Sequence, residues 1–203
     1  MIRTILLTLI TTIISLSASA QYNPEATLKQ ASDKLTSAKS IQASFSITGQ
    51  GGIVNGTIVM SGSKFKMAAP QFTIWFDGHT QWTYAADQQE TTVTTPTAEE
   101  LQQINPLQIL QSFRAAYRAE PQKAPSGTCK IKLTAKSADA AIRSAVVTLK
   151  TSTLYPESIS LTLSNNTTAN IKISGLKVGQ TLPLSTFRYD SKTYPKAEII
   201  DLR

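Results

Sequence analysis

The sequence is poor in the residues that usually carry metal and redox chemistry. One cysteine, Cys129, and one histidine, His79, stand in 203 residues. A lone thiol forms no internal disulfide, and one imidazole with one thiol falls short of the three or four ligands of a zinc site. Any metal would need carboxylates, so neither a metal nor a cofactor is expected. Charge is sparse at 16%, and the acidic sign is the scarcer, 13 residues against 20 Lys and Arg for a net +7. Aromatics at 7% and apolar residues at 41% are ordinary for a globular chain. A phosphate-cradling glycine loop is absent as well, because Gly49, Gly51 and Gly52 lie between strand patterns and not before a helix. The length leaves no room for two large domains, yet one domain of this size withdraws roughly 70% of its surface from water and needs no staple.

Long apolar runs are confined to the start of the chain. Met1-Ile2-Arg3 precedes an apolar stretch from Ile5 to Ile14, and Ala18-Ser19-Ala20 supplies small residues before Gln21. This pattern predicts a secretory signal over residues 1–20, cleaved near Ala20–Gln21. A membrane anchor fits less well, since Thr8, Thr11, Thr12, Ser15 and Ser17 dilute a stretch already short for a bilayer. Gln21 offers no thiol for lipid attachment. Loss of Arg3 leaves 19 basic residues against 13 acidic, a mature charge of +6. Residues 21–203 are then expected to form one exported, soluble domain, monomeric, with no nucleic-acid partner, because the aromatics do not interleave with the basic residues as base stacking requires. Lys29, Lys34 and Lys39 read as a solvated helix face, with attraction to a membrane surface or a partner as the alternative.

Asn23-Pro24 caps and opens a helix over 24–39, with Leu28, Ala31, Leu35 and Ala38 on its apolar stripe. The period then changes to two. Ile41, Ala43, Phe45 and Ile47 alternate with polar residues, Val54 to Met60 follows, and Phe65 and Met67 lead to a break at Pro70. Phe72 to Phe76 is apolar on both faces, Asp77-Gly78 makes a hairpin turn, and Trp82 and Tyr84 share one face of the returning strand. Thr91 to Thr95 is a further strand. Thr97 with Glu100 forms a capping box for a short helix to Ile104, and Asn105-Pro106 opens a second helix carrying Leu107, Ile109, Leu110, Phe113 and Tyr117. Pro121 to Gly127 reads as a loop. Alternation resumes from Cys129 through Ile173, broken at Tyr155-Pro156, Asn165-Asn166 and Gly175, and the segment from Leu184 to Leu202 is mixed. The pattern predicts one antiparallel sheet that curls, an α+β half-barrel covered by the first helix and the central helical insert.

Catalytic constellations are weak. His79 sits at a hairpin tip two residues after Asp77, where a solvated role is expected, and a hydrolase using that pair is the enzyme alternative. Asp87, Glu90, Glu99 and Glu100 lie at turns, an edge or a helix start, where they serve caps and solubility. Cys129 reads as a buried, inert thiol, and the sequons at Asn165 and Asn166 matter only in a glycosylating source. The chain is not expected to be an enzyme. Its distinctive resource is apolar surface. Placing Phe45, Ile47, Ile58, Met60, Phe65, Met67, Phe72, Ile74, Trp82 and Tyr84 on one concave face would exceed what three short helical stripes fill, and a cavity would follow. A plain packed core is the alternative.

The stretches Lys64-Phe65-Lys66-Met67-Ala68-Ala69-Pro70, Trp75-Phe76-Asp77-Gly78-His79-Thr80-Gln81-Trp82-Thr83-Tyr84 and Asn105-Pro106-Leu107-Gln108-Ile109-Leu110 resemble the LolA-like periplasmic lipoprotein carriers. The resemblance implies an unclosed antiparallel barrel whose hydrophobic hollow holds lipoprotein acyl chains under a helical lid. It matches Trp82 and Tyr84 to the family's aromatic pair and assigns Leu107, Leu110 and Phe113 to the lid. It also implies acylated lipoproteins as cargo, an inner-membrane lipoprotein-releasing ABC transporter as loader and an outer-membrane acceptor. Many carriers place an arginine before the proline junction to bond a lid helix, whereas this chain reads Ser61-Gly62-Ser63-Lys64 there. A bidentate guanidinium has no substitute in that segment. An envelope lipid sensor or a structural protein of the same fold is the other non-enzymatic reading.

Overall fold

The computed structural model describes residues 22–203, so the predicted signal over residues 1–20 lies outside the described residues. Asn23 caps helix α1 (Pro24–Ser37), its Oδ1 accepting from the Ala26 N–H at 3.0 Å. Leu28, Ala31 and Leu35 turn inward as the helical period requires. A meander of six strands follows: β1 (Ser40–Gly49), β2 (Gly52–Ser61), β3 (Lys64–Ala68), β4 (Phe72–Phe76), β5 (Gln81–Ala85) and β6 (Glu90–Thr94). The chain then forms α2 (Ala98–Ile104), a 3-10 turn (Pro106–Gln108) and α3 (Ile109–Ala116). Five more strands, β7 (Tyr117–Gln122), β8 (Thr128–Ala135), β9 (Ile142–Lys150), β10 (Pro156–Leu163) and β11 (Thr168–Gly179), lead to a second 3-10 turn (Leu184–Phe187) and to β12 (Glu198–Asp201).

The twelve strands among the described residues join one sheet in the order β12-β6-β5-β4-β3-β2-β1-β11-β10-β9-β8-β7. The end strands β12 and β7 do not pair with each other, so the sheet is a curled, unclosed half-barrel. Helices α2 and α3 run between β6, near one end, and β7 at the other, and therefore cross the opening. Helix α1 packs beside α3 and β7.

The structure departs from the sequence expectations in four places. The sheet is not wholly antiparallel, because β12 pairs with β6 in parallel, Glu198 opposite Glu90 and Asp201 opposite Val93. Gly175 does not end its strand: β11 continues to Gly179, and the register slips between Gln42 and Ser44 of β1, with Gly175 at φ +62. Left-handed glycine in a two-against-one step is how a bulge kinks a strand without ending it. Tyr117 leaves the helix and opens β7, and Pro121 lies inside that strand, tolerated because β7 is an edge. The first helix stops at Ser37, short of the expected end at 39, because Ala38 is already extended.

Candidate functional site

Cross-strand register assigns every side chain of the meander to a face, since partners opposite each other point the same way. Phe45, Ile47, Ile58, Met60, Phe65, Met67 and Ile74 share the face covered by the helices. The linking pairs are Ile41 with Met60, Ala43 with Ile58, Met60 with Phe65, Ile58 with Met67 and Met67 with Ile74. All seven belong to, or pack against, one apolar core. The Phe65 and Phe76 rings lie 5.5 Å apart in a tilted pair. Phe72 shares this face by alternation but sits at the start of β4 opposite Ala85 and stays outside that core. Gly56, which no periodicity singles out, lies opposite Phe45; a Cβ there would meet the Ala68 carbonyl at 2.3 Å and the Phe45 ring at 2.5 Å. Only a missing side chain lets the Phe45 ring lie across β2.

Trp82 and Tyr84 are not on this face. Trp82 pairs with Trp75, and Tyr84 with Thr73, on the opposite surface of the sheet. The concave-face expectation for these two is corrected: β4 is apolar on both sides, and alternation alone does not tell which side meets the helices. The opposite surface has its own cover in residues 184–194. Trp75 meets the edges of Tyr189 and Tyr194, each at 5.6 Å, and Tyr84 lies 4.4 Å from Tyr194. Lys66 Nζ sits 5.6 Å from the Trp75 ring, and Phe187 is fully buried against β3.

The lid is made of α2, the 3-10 turn and α3. Leu107, Ile109, Leu110 and Phe113 are 0–3% exposed, so the three residues expected as a lid are seated with Ile109 against the sheet. Helix α2 buries no residue completely; Leu101 and Ile104 only rest on the core. Few polar bonds tether this cover. Glu99 Oε1 accepts from the Ala141 N–H at 3.0 Å, and Gln102 Oε1 from the Tyr117 hydroxyl at 3.3 Å. Burial, with the Glu99 charge, raises the Tyr117 phenol, which therefore stays a donor. Between α2 and the 3-10 turn lies Asn105, fully buried, which accepts the Leu107 N–H at 3.1 Å while its amide lies 3.9 Å from Met60 Sδ. As a helix-start residue Asn105 is legible in sequence; as the polar pin of the lid it is not.

Beneath the lid, Phe45, Ile47, Ile58, Met67, Ile171 and Ile173 floor a recess closed by Asn105 and Leu107. Its free volume is about 20 Å³, room for roughly one water. The expected standing hollow is thus corrected. The helical stripes do fill the apolar face, because Leu107, Ile109, Leu110 and Phe113 occupy the space themselves.

Asp77 serves the fold. Its Oδ1 accepts from the N–H groups of His79 at 3.1 Å and Thr80 at 3.0 Å, and its Oδ2 pairs with Arg188 Nε at 2.9 Å. Burial pushes its carboxyl up, but the Thr80 and His79 N–H groups and the Arg188 guanidinium outweigh this and hold it below the usual value. The His79 contact comes from its backbone, and the residue is exposed. Glu100 closes the capping box with Thr97. Cys129 is buried, and burial pushes its thiol up, away from the reactive thiolate. In the segment lacking the arginine, the Ser61 hydroxyl donates to the Lys39 carbonyl at 2.8 Å, tying β2 to the link between α1 and β1 and not to the lid.

None of the curated proteins matches this sequence. Among solved structures, an uncharacterized conserved protein from Thermus thermophilus superimposes with a TM-score of 0.59 at 10% identity, over 88% of this chain and 99% of that one. This shows a shared fold. A LolA superfamily protein from Nitrosomonas europaea gives a TM-score of 0.43 at 10% identity, over 84% and 99% of the two chains. The complex structure of Pseudomonas aeruginosa MucA/MucB gives 0.46 at 11% identity, over 83% and 62%. A family model described as outer membrane lipoprotein carrier protein LolA matches residues 16–165, spanning α1 through β10, with the lid and the part of its apolar floor that comes from β1 to β3. This chain belongs to the LolA family.

Proposed function

We propose that this protein carries acylated lipoproteins through the periplasm, with the acyl chains lying on the apolar face that α3 now covers. The observation that carries the reading is the lid itself: four apolar side chains, 0–3% exposed, delivered to the sheet by an eight-residue helix and its 3-10 turn and held by few polar bonds. Burying such side chains stabilises the closed form by roughly 1.5–3 kcal/mol each. A long acyl chain gains about 0.8 kcal/mol per buried CH₂, on the order of ten in all. The two sums are comparable, so chains entering and the lid leaving is a nearly balanced exchange. A carrier needs that balance, because cargo held more strongly than a membrane holds it would never be delivered. Met60 and Met67 suit a wall that must accept irregular ligands.

In this reading no bond is made or broken, and the protein is a binding protein and not an enzyme. An inner-membrane lipoprotein-releasing transporter would load it and an outer-membrane acceptor would receive the cargo. The test is organic extraction of the purified protein followed by mass spectrometry, with Phe65→Glu and Leu110→Glu beside the wild type. Co-purified acyl species in the wild type and their loss in both variants are expected. Full lipid retention by both variants would overturn the reading.

A further inference from the structure

The charges of this chain are unevenly spread. Residues 117–179, from β7 through β11, hold nine Lys and Arg against three Asp and Glu, whereas the other described residues hold ten of each. The whole basic excess therefore sits in one half of the sheet, and register gives it a face. Lys130 and Lys132 alternate with the buried Cys129, Ile131 and Leu133, Lys172 lies opposite Ser46 and Ser158, and Lys177 lies opposite Gln42. These four, with Arg118 and Lys150, point away from the core. Ser158 faces Thr148 and Thr148 faces Lys130, so Lys172 and Lys130 stand in one row, three strand spacings or about 14 Å apart. Short neutral side chains fill the space between them, Ser158 and Thr148 in that row and Asn170 and Ser160 in the next. None of the outward positions of β8 to β10 is buried. Two carboxylates share the face: Glu157, exposed and 3.9 Å from Lys150, and Glu120, opposite Lys132. The α1 lysines, by contrast, are engaged locally, Lys29 with Asp33 at 2.5 Å and Lys34 with the Thr153 carbonyl at 3.0 Å.

We propose that the outer face of β8 to β11 docks on the surface of an anionic phospholipid bilayer, held by charge at the headgroup layer without insertion. Its makeup selects that occupant. Cations about 14 Å apart share no single phosphate, so a compact anion meets one of them, whereas a layer of headgroups meets them all at once. A protein partner needs an apolar or aromatic centre to its interface, and a sugar or base needs a ring to stack on. The outward positions of β8 to β11 hold no aromatic residue, and the half-buried Val146 is their one aliphatic side chain. What they do hold is lysine for the phosphates and Ser and Thr hydroxyls that donate to phosphate oxygens. The inference stands apart from the carrier reading, because none of these residues meets the face that α3 covers.

The experiment is sedimentation of the full mature protein with vesicles of phosphatidylcholine alone and of equimolar phosphatidylcholine and phosphatidylglycerol. Binding to the mixed vesicles only is expected, and it should vanish between about 0.1 and about 1 M NaCl, as the screening length falls from about 10 to about 3 Å. Lys130→Gln combined with Lys132→Gln should weaken it about 25-fold, about fivefold for each lysine. Lys172→Gln combined with Lys177→Gln, at two exposed positions, should do the same and serves where the first pair lowers stability. Lys29→Gln combined with Lys34→Gln removes equal charge from α1 and should weaken binding by no more than about twofold. Equal binding to neutral vesicles, binding that survives the high salt, or equal losses from the face and helix pairs would overturn the proposal and leave the carrier reading standing. Tighter capture by soluble polyglutamate than by the mixed vesicles, at equal anionic charge, would assign the face to an acidic protein and overturn it as well.

Discussion

The two faces of the sheet around β3 and β4 are both apolar and both covered, yet their covers are built differently. On one side lie aliphatic residues of short helices, seated by shape and tethered by a few side-chain bonds around Asn105. On the other, Trp75, Tyr84, Tyr189 and Tyr194 interlock through their rings, Arg188 pairs with Asp77, and the covering segment ends in β12, which is hydrogen-bonded to β6. A strand in a ladder leaves only if several backbone bonds break together, whereas a helix keeps its own bonds when it lifts away. The difference teaches that burial alone does not distinguish the two faces; how the cover is attached does. One cover is a helical plug held mainly by packing, and the other a clasp held by a strand ladder.

The largest expected effects come from a matched pair of truncations. Phe187 and Leu110 are both 0% exposed, one under each cover. Phe187→Ala and Leu110→Ala should each lower the urea midpoint, by roughly 3–5 and 2–5 kcal/mol in stability. They should differ in binding. Phe187→Ala leaves acyl affinity unchanged, while Leu110→Ala tightens it, because the lid gives up less when it opens. The opposite assignment of affinity changes, by titration with a fluorescent fatty acid, would erase the distinction between plug and clasp. A middle-sized effect is expected at Gly56, where an added Cβ meets the Ala68 carbonyl at 2.3 Å. Gly56→Ala should cost about 1–3 kcal/mol by overpacking; thermal unfolding reads the loss.

The smallest effect concerns the clasp. The Asp77 carboxyl is held below its ordinary value, so its stabilisation is present above about pH 4 and is lost as the pH falls through the carboxylate range. Because Arg188 is largely exposed, Asp77→Asn should cost only about 1 kcal/mol or less near neutral pH. The gap between variant and wild type should close below about pH 4. A gap that widens in acid would show that Asp77 is not the charged partner in this pair.

Much of this architecture is readable in the sequence because it is local. The Asn23 cap, the Thr97 and Glu100 capping box, the Asp77-Gly78 turn and the strands from β1 to β6 are each decided within a few residues, and all are found where the pattern places them to within a residue or two. The burial of Leu107, Leu110 and Phe113 is legible for the same reason. The misassignments share a different cause. Trp82 and Tyr84 alternate correctly along β5, but which side of β5 faces the helices depends on its partner β4, where Phe76 and Trp75 are both buried on opposite sides.

Composition and periodicity alone determined that this chain is rich in sheet, carries a helical insert and has too few imidazoles and thiols for a zinc site, since such properties follow from residue type and spacing. Tertiary structure alone decided which apolar face is plugged and which is clasped, and how little room the plug leaves. Those outcomes depend on contacts between residues distant in the chain, such as β12 returning to β6 and Leu107 settling over β1 and β11, and no local pattern encodes them.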